Sequence, residues 1–294
     1  MNRETEQAIP AGSDTKTFVL VHGGAHGAWA FERLASLLVQ EGHHVVARDL
    51  PGHGLGARFP HSYTTRPLNP QEFATEPSPV AHLTLRDYRD QVTDTIRRLA
   101  ERMPHRHIIV LGHSMAGLVL NQVGEAVPEL IGRLVYLSAW MTANGTSFSD
   151  YMDAPEFSTG LIPSILLADP AVTGTLRMDF RSGDPEYRAR VKATFAADAD
   201  DHDWEAVTNL LTPDTPIGPL AEKVTVTPAR WGRIPRTYIT CTDDRAVPPA
   251  AQQRFIDEAD KYTPDNPTDV RTLPTSHSPF VSQPEKLAEI LLEL

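Results

Sequence analysis

Ile108-Ile109-Val110-Leu111-Gly112-His113-Ser114-Met115-Ala116-Gly117-Leu118-Val119-Leu120 is the stretch whose reading decides the fold. An apolar, β-branched run reads as a buried strand, and Leu118 to Leu120 continue with helical spacing. Between them lies a small-residue turn around a serine. A strand–turn–helix of this kind lifts a serine hydroxyl above the end of a sheet, the arrangement of a nucleophile elbow. The turn is strained, so its neighbours must be small to keep the incoming strand clear of the outgoing helix. Gly112 meets that need before the serine. Two residues after it stands Ala116 in place of the usual glycine, followed by Gly117. Alanine adds one methyl and is expected to fit. On its own, G-x-S-x-A describes many ordinary turns and needs partners elsewhere in the chain.

The expected order is serine, acid, histidine. Tyr238-Ile239-Thr240-Cys241 reads as a short buried strand running into Thr242-Asp243-Asp244-Arg245-Ala246-Val247-Pro248, a loop with two carboxylates. Asp269 to Leu273 reads as another strand, ending at Pro274-Thr275-Ser276-His277-Ser278. Both candidates follow strand ends, where open α/β sheets place their sites. Asp244 and Asp243 are the candidates for the acid, and His277 is the base. Near the N-terminus, Thr17 to Val21 reads as a strand opening into His22-Gly23-Gly24-Ala25-His26-Gly27. The loop matches neither phosphate-cradling spacing, G-x-x-x-x-G-K-[ST] or G-x-G-x-x-G. It suits an oxyanion hole built from the N–H groups of Gly24 and Met115. His22 and His26 are read as structural hydrogen-bonding residues.

Strands are expected near 17–21, 44–48, 107–111, 133–138, 236–241 and 268–273. Helices are expected near 29–41, 84–102, 115–127, 249–260 and 284–294. The alternation implies an α/β fold with a mostly parallel sheet and helices on both faces. Residues 1–139 and 234–294 form the expected core. Residues 140–233, helical segments broken by Pro and Gly, form an expected inserted, mainly helical cap over Ser114. Within it, Trp140 is the leading candidate for lining a substrate pocket, with packing against the core as the alternative. Asp198, Asp200, Asp201, His202 and Asp203 match no calcium-loop spacing and read as a solvated helix start. No metal ligand set and no cofactor is expected.

Several runs resemble those of the α/β-hydrolase superfamily, in particular the group of plant methyl-ester esterases and hydroxynitrile lyases: FVLVHGGAHGAWAFERLASLL, GHHVVARDLPGHG, VLGHSMAG, LVYLSAWM, RIPRTYITCTDDRAVP and TSHSPFVSQPEKLAEIL. The resemblance covers most of the chain. It implies an α/β-hydrolase fold and a triad of Ser114, Asp244 and His277, and it favours Asp244 over Asp243. It also implies that a lyase would carry a threonine at Gly23 and a lysine at Ser278. It therefore points to hydrolysis of a small-molecule carboxylic ester through an acyl-enzyme, a methyl ester or similar. A cyanohydrin lyase, a lactone- or amide-cleaving enzyme and a non-catalytic ligand receptor remain as alternatives. A Pro-rich stretch, about Leu55 to Leu83, departs from the plant sequences and is expected to overhang the pocket.

The chain has 294 residues, 40% of them hydrophobic, enough for a large core in one α/β unit. A net charge of −11 argues against a nucleic-acid partner. No apolar stretch is long enough to span a bilayer, and residues 1–16 lack the apolar centre of a signal peptide and read as a loose tail. A cytoplasmic location is expected. Cys241, the single cysteine, reads as an inert core residue. The sequence sets no oligomeric state, and a homodimer stays open.

Overall fold

The structure, a computed structural model, describes residues 15–103 and 108–294. The expected loose tail up to Asp14 and the expected start of a strand at His107 lie outside the described residues. The eight strands among the described residues are β1 (Thr17–Val21), β2 (His44–Ala47), β3 (Ile108–His113), β4 (Arg133–Leu137), β5 (Thr175–Arg177), β6 (Asp214–Pro216), β7 (Arg236–Cys241) and β8 (Asp269–Leu273). Six of them form one sheet in the order β2-β1-β3-β4-β7-β8, every neighbouring pair parallel. β5 and β6 pair separately as an antiparallel ribbon.

Alternation along the strands divides the core between two faces of the sheet. Val19, Val110, Leu134, Tyr136 and Tyr238 pack on one face with the helices Leu85–Arg102, Ala116–Ala126 and Pro249–Tyr262. Phe18, Leu20, Leu111, Val135 and Ile239 pack on the other with Glu32–Gln40 and Pro284–Leu292. Because both faces are covered, all six residues of β3 are buried, which is why its sequence reads as one apolar run. The Leu85–Arg102 helix starts at a capping box: Thr84 Oγ1 accepts from Asp87 N at 3.3 Å, and Thr84 N donates to Asp87 Oδ2 at 2.9 Å.

The segment between β4 and β7 holds short helical turns, the helices Pro185–Phe195 and Asp201–Leu210, and the β5–β6 ribbon. The ribbon is a small addition to the mainly helical expectation. Each of its strands is three residues long and β6 ends in proline, too short for an alternation to register. The stretch 55–83, expected to overhang the pocket, contributes no lining residue to the cavity that holds Ser114. Its short helix Pro70–Thr75 meets the ribbon, with the Phe73 ring under the Arg177 guanidinium, and His61–Thr64 packs on that helix through Tyr63 against Phe73. The fully buried Arg177 joins the two: it pairs with Asp214 through two bonds of 2.7 and 2.8 Å and donates to the carbonyls of Phe73 and Glu76 at 2.6 and 2.7 Å. A buried ion pair adds stability only when all its hydrogen-bonding groups are satisfied, and here the guanidinium has four short contacts to two segments of chain.

Candidate active site

Ser114 sits between β3 and the Ala116–Ala126 helix with φ +55°, a left-handed conformation uncommon for any residue but glycine. The surroundings hold it there. Its N–H donates to Leu137 O at 3.3 Å, and its carbonyl accepts from Gly117 N and Trp140 N, both at 3.0 Å. The requirement for small residues is visible in the space around them. A Cβ on Gly112 would come within 2.5 Å of Leu120 Cδ1, and one on Gly117 within 2.6 Å of the Trp140 backbone. Ala116 fits and is fully buried, so the position that admits no side chain falls one residue later than in the usual motif.

At the ends of β7 and β8, His277 Nδ1 lies 2.6 Å from Asp244 Oδ2. The same oxygen accepts the Ser138 hydroxyl, while Oδ1 accepts from Ala246 N and Val247 N at 2.7 and 2.9 Å. Four donors thus hold the carboxylate, and the imidazole proton belongs on Nδ1, leaving Nε2 to act as an acceptor. Asp243 is exposed and faces away; its N–H donates to Thr275 O at 3.0 Å. Ser138, directly after β4, also has a positive φ, +40°. Sequence reasoning missed it, since one serine after a strand carries no signal of its own.

Three further histidines lie beneath this cluster. Leu50 N donates to His22 Nε2 at 2.9 Å, so His22 Nδ1 carries the proton and donates to Gly23 O at 2.8 Å. His26 Nδ1 donates to Gly24 O at 2.7 Å, and His113 Nε2 donates to the carbonyl of His277 at 2.9 Å. Burial holds His22 and His113 well below the ordinary histidine value and lowers His26 to about 4. These imidazoles are neutral struts. His22 and His26 shape the glycine loop, and His113 fixes the backbone of the candidate base.

Ser114 and His277 line one cavity together with Gly24, Met115, Trp140 and Thr215, enclosing about 530 Å³ including its mouth. Neither the Gly24 nor the Met115 N–H donates to a group among the described residues, so both amides are free to meet a developing oxyanion. Trp140 stands between the cavity and an aromatic cluster. It lines the cavity, and it stacks on Phe157 at 4.8 Å and packs against Phe148 at 4.3 Å. Phe148, Ile162, Leu176, Met178 and Phe195 complete largely apolar walls. No group of three or more potential metal-ligating side chains occurs among the described residues.

The acidic cluster resolves into separate roles. Asp200 caps the Asp201–Leu210 helix, accepting from His202 N at 2.7 Å, and Asp203 pairs with Arg33 at 2.6 Å. Asp198 is exposed, as a solvated residue should be, but it has a further role. It reaches the loop that carries His277, accepting Thr275 Oγ1 at 2.7 Å, the Ser276 hydroxyl, and Ser276 N at 3.3 Å. Burial pushes its carboxyl up, but the Ser276, Thr275 and Ser282 hydroxyls outweigh that and leave it below the usual value. Cys241 is buried, and burial raises its thiol well above the ordinary range, as befits an inert core residue.

A strained serine at a strand-to-helix turn, with an Asp–His pair on later strand ends and free amides beside it, defines the α/β-hydrolase type of site. The alpha/beta hydrolase family model matches residues 18–290, and the chain belongs to that family. It is 29% identical over 287 residues to putative methylesterase 13, chloroplastic, of Arabidopsis thaliana, covering 96% of this chain and 57% of that protein. The chain thus spans little more than half the length of that relative. It is 28% identical to polyneuridine aldehyde esterase of Rauvolfia serpentina, with 95% of each covered. Among solved structures, a pyrethroid hydrolase from Sphingobium faniae superposes with a TM-score of 0.72 at 23% identity, over 95% of this chain and 96% of that one.

Proposed function

We propose that the chain is a serine-dependent carboxylic ester hydrolase acting on small, largely apolar esters, methyl esters among them. The observation that carries this reading is the hydrogen-bonded His277–Asp244 pair lining one cavity with a strained Ser114 and two free amides. In this reading residues 140–233 serve as the cap. His277 Nε2 takes the Ser114 proton as Oγ attacks the carbonyl carbon. Asp244 holds the imidazole in the required tautomer and stabilises its charged form. The N–H groups of Gly24 and Met115 receive the oxyanion. His277 then protonates the departing alkoxide, leaving an acyl-enzyme, and water repeats the sequence to release the acid.

The crowding at Gly23 supports hydrolysis over cyanohydrin cleavage. A Cβ there would come within 2.8 Å of Ser114 Cβ and 2.9 Å of His113 Nδ1, so a threonine side chain has no room. Ser278 brings no ammonium next to His277. The methylesterase and esterase names of the relatives support the same reading.

The test is Ser114→Ala assayed on p-nitrophenyl acetate and a panel of methyl esters, lactones and amides. The expected result is a fall in kcat of about 10⁴- to 10⁶-fold, with thermal stability retained and an acyl adduct on Ser114 seen by mass spectrometry in the parent chain alone. Undiminished turnover in the variant would refute the assignment.

A further inference from the structure

The β5–β6 ribbon has two faces with different contents. In its register Leu176 stands opposite Thr215, and Arg177 opposite Asp214. Side chains alternate along a strand, so these two pairs point to opposite sides. Leu176 and Thr215 line the cavity. Arg177 and Asp214 point away from it and are tied to the carbonyls of Phe73 and Glu76. The ribbon is therefore a roof over the site, fastened from behind by the stretch 55–83.

Thr215 occupies a particular place under that roof. A Cβ built on Gly24 would lie 2.9 Å from both Thr215 Oγ1 and Thr215 Cγ2, so the threonine side chain stands directly over the glycine assigned to the oxyanion hole. The same stretch of chain grips the next residue of that loop: Thr212 N and Thr212 Oγ1 donate to Ala25 O at 2.8 and 3.1 Å. Thr215 is only 4% exposed as a residue, and its hydroxyl oxygen, which no group among the described residues is seen to bond, is not sealed off but open to the cavity. The cavity walls around it are largely apolar, so a polar group of a bound substrate can take its hydrogen bond.

We propose that Thr215 is a third oxyanion donor, its hydroxyl hydrogen-bonding the charge that develops on the substrate carbonyl oxygen beside Gly24 and Met115. This rests on the ester-hydrolase reading of the same site. Thr215 moves no proton: Ser114 Oγ forms the new bond to carbon, His277 holds the serine proton, and the O–H of Thr215 strengthens its hydrogen bond as the oxygen becomes anionic. Glycine at position 24 follows from the same geometry, since a side chain there would displace the threonine.

The experiment compares Thr215→Val, which keeps the shape and removes the hydroxyl, with Thr215→Ser, which keeps the hydroxyl. Thr215→Ala provides a second hydroxyl-free variant should valine perturb folding. On p-nitrophenyl acetate, Thr215→Val and Thr215→Ala are expected to lose about 10- to 100-fold in kcat, less than the 10²–10³ typical of a principal oxyanion donor. KM is expected to stay within about twofold, and Thr215→Ser to keep most of the parent activity. A trifluoromethyl ketone, which forms a tetrahedral adduct on Ser114, is expected to bind the hydroxyl-free variants more weakly by the same factor. Parent-like kcat in Thr215→Val or Thr215→Ala, a loss confined to KM, or a serine variant as slow as valine would overturn the proposal. If the parent forms the ketone adduct but turns over no ester, the ester reading fails on its own, and the adduct affinities still judge Thr215.

Discussion

On the sheet side of the cavity three buried imidazoles, His22, His26 and His113, are neutral, and each donates to a backbone carbonyl. On the ribbon side the corresponding fastening is the charged pair Arg177–Asp214. Both arrangements hold loops around Ser114, yet they answer to different perturbations. Neutral imidazoles keep their geometry until acid charges them, whereas the ion pair keeps its geometry until one partner is removed.

The largest expected effect comes from breaking the ribbon side. Arg177→Met strands a buried Asp214 carboxylate and two buried carbonyls, which should cost about 3–5 kcal/mol. A lowered urea midpoint would report this, together with easier proteolytic cleavage between residues 55 and 83. If the midpoint stays put, the stretch 55–83 is not fastened through Arg177.

The sheet side should be sensitive to acid instead. Burial above all lowers His26 from its ordinary value of 6.5 to about 4. Between those values the unfolded chain binds the proton and the folded chain does not, so stability is complete above about pH 6.5 and falls as pH drops toward 4. The contribution of His26 is on the order of 3 kcal/mol, at about 1.4 kcal/mol per pH unit, and His22 and His113 act in the same direction. Urea midpoints measured from pH 7 to pH 4.5 should decline steadily, and His26→Gln should flatten the decline by about one proton. A midpoint independent of pH in this range would contradict the neutral-strut description.

A smaller effect tests the place where the two sides meet. Asp198 lies in the segment between β4 and β7 but is hydrogen-bonded to Thr275 and Ser276, directly before His277. Asp198→Asn should lower kcat about tenfold by letting the imidazole drift. The loss should be greater for methyl esters, whose leaving alkoxide needs the His277 proton, than for p-nitrophenyl esters, whose leaving group does not. Equal losses on both substrates, accompanied by a drop in melting temperature, would mark Asp198 as structural only.

The parts of the molecule that were legible in sequence share a physical property. The elbow, the glycine loop and the strand ends at Asp244 and His277 each declare themselves within a few neighbouring residues, through burial on both faces of the sheet and through small residues at close approaches. Thr215, Asp198, Ser138 and Arg177 declare nothing locally. Arg177 reaches back about a hundred residues to Phe73 and Glu76, and Asp198 reaches forward to Ser276. Such pairings follow from the topology that brings distant segments together, and no periodicity encodes them. The three-residue ribbon strands were hidden for a related reason: an alternation needs more residues than they possess. The second role of Asp198 is hidden because it sits, exposed, among acids that cap and solvate a helix.

The alternation of the ribbon also bears on how the site could diversify. Leu176 and Thr215 touch whatever occupies the cavity, while their immediate neighbours Arg177 and Asp214 hold the roof in place from the opposite side. Substitutions at positions 176 and 215 can therefore reshape the space above Ser114 without disturbing its fastening. A library confined to those two positions would explore new substrates on an intact frame, whereas the same number of changes spread onto 177 and 214 would chiefly sample unfolded chains.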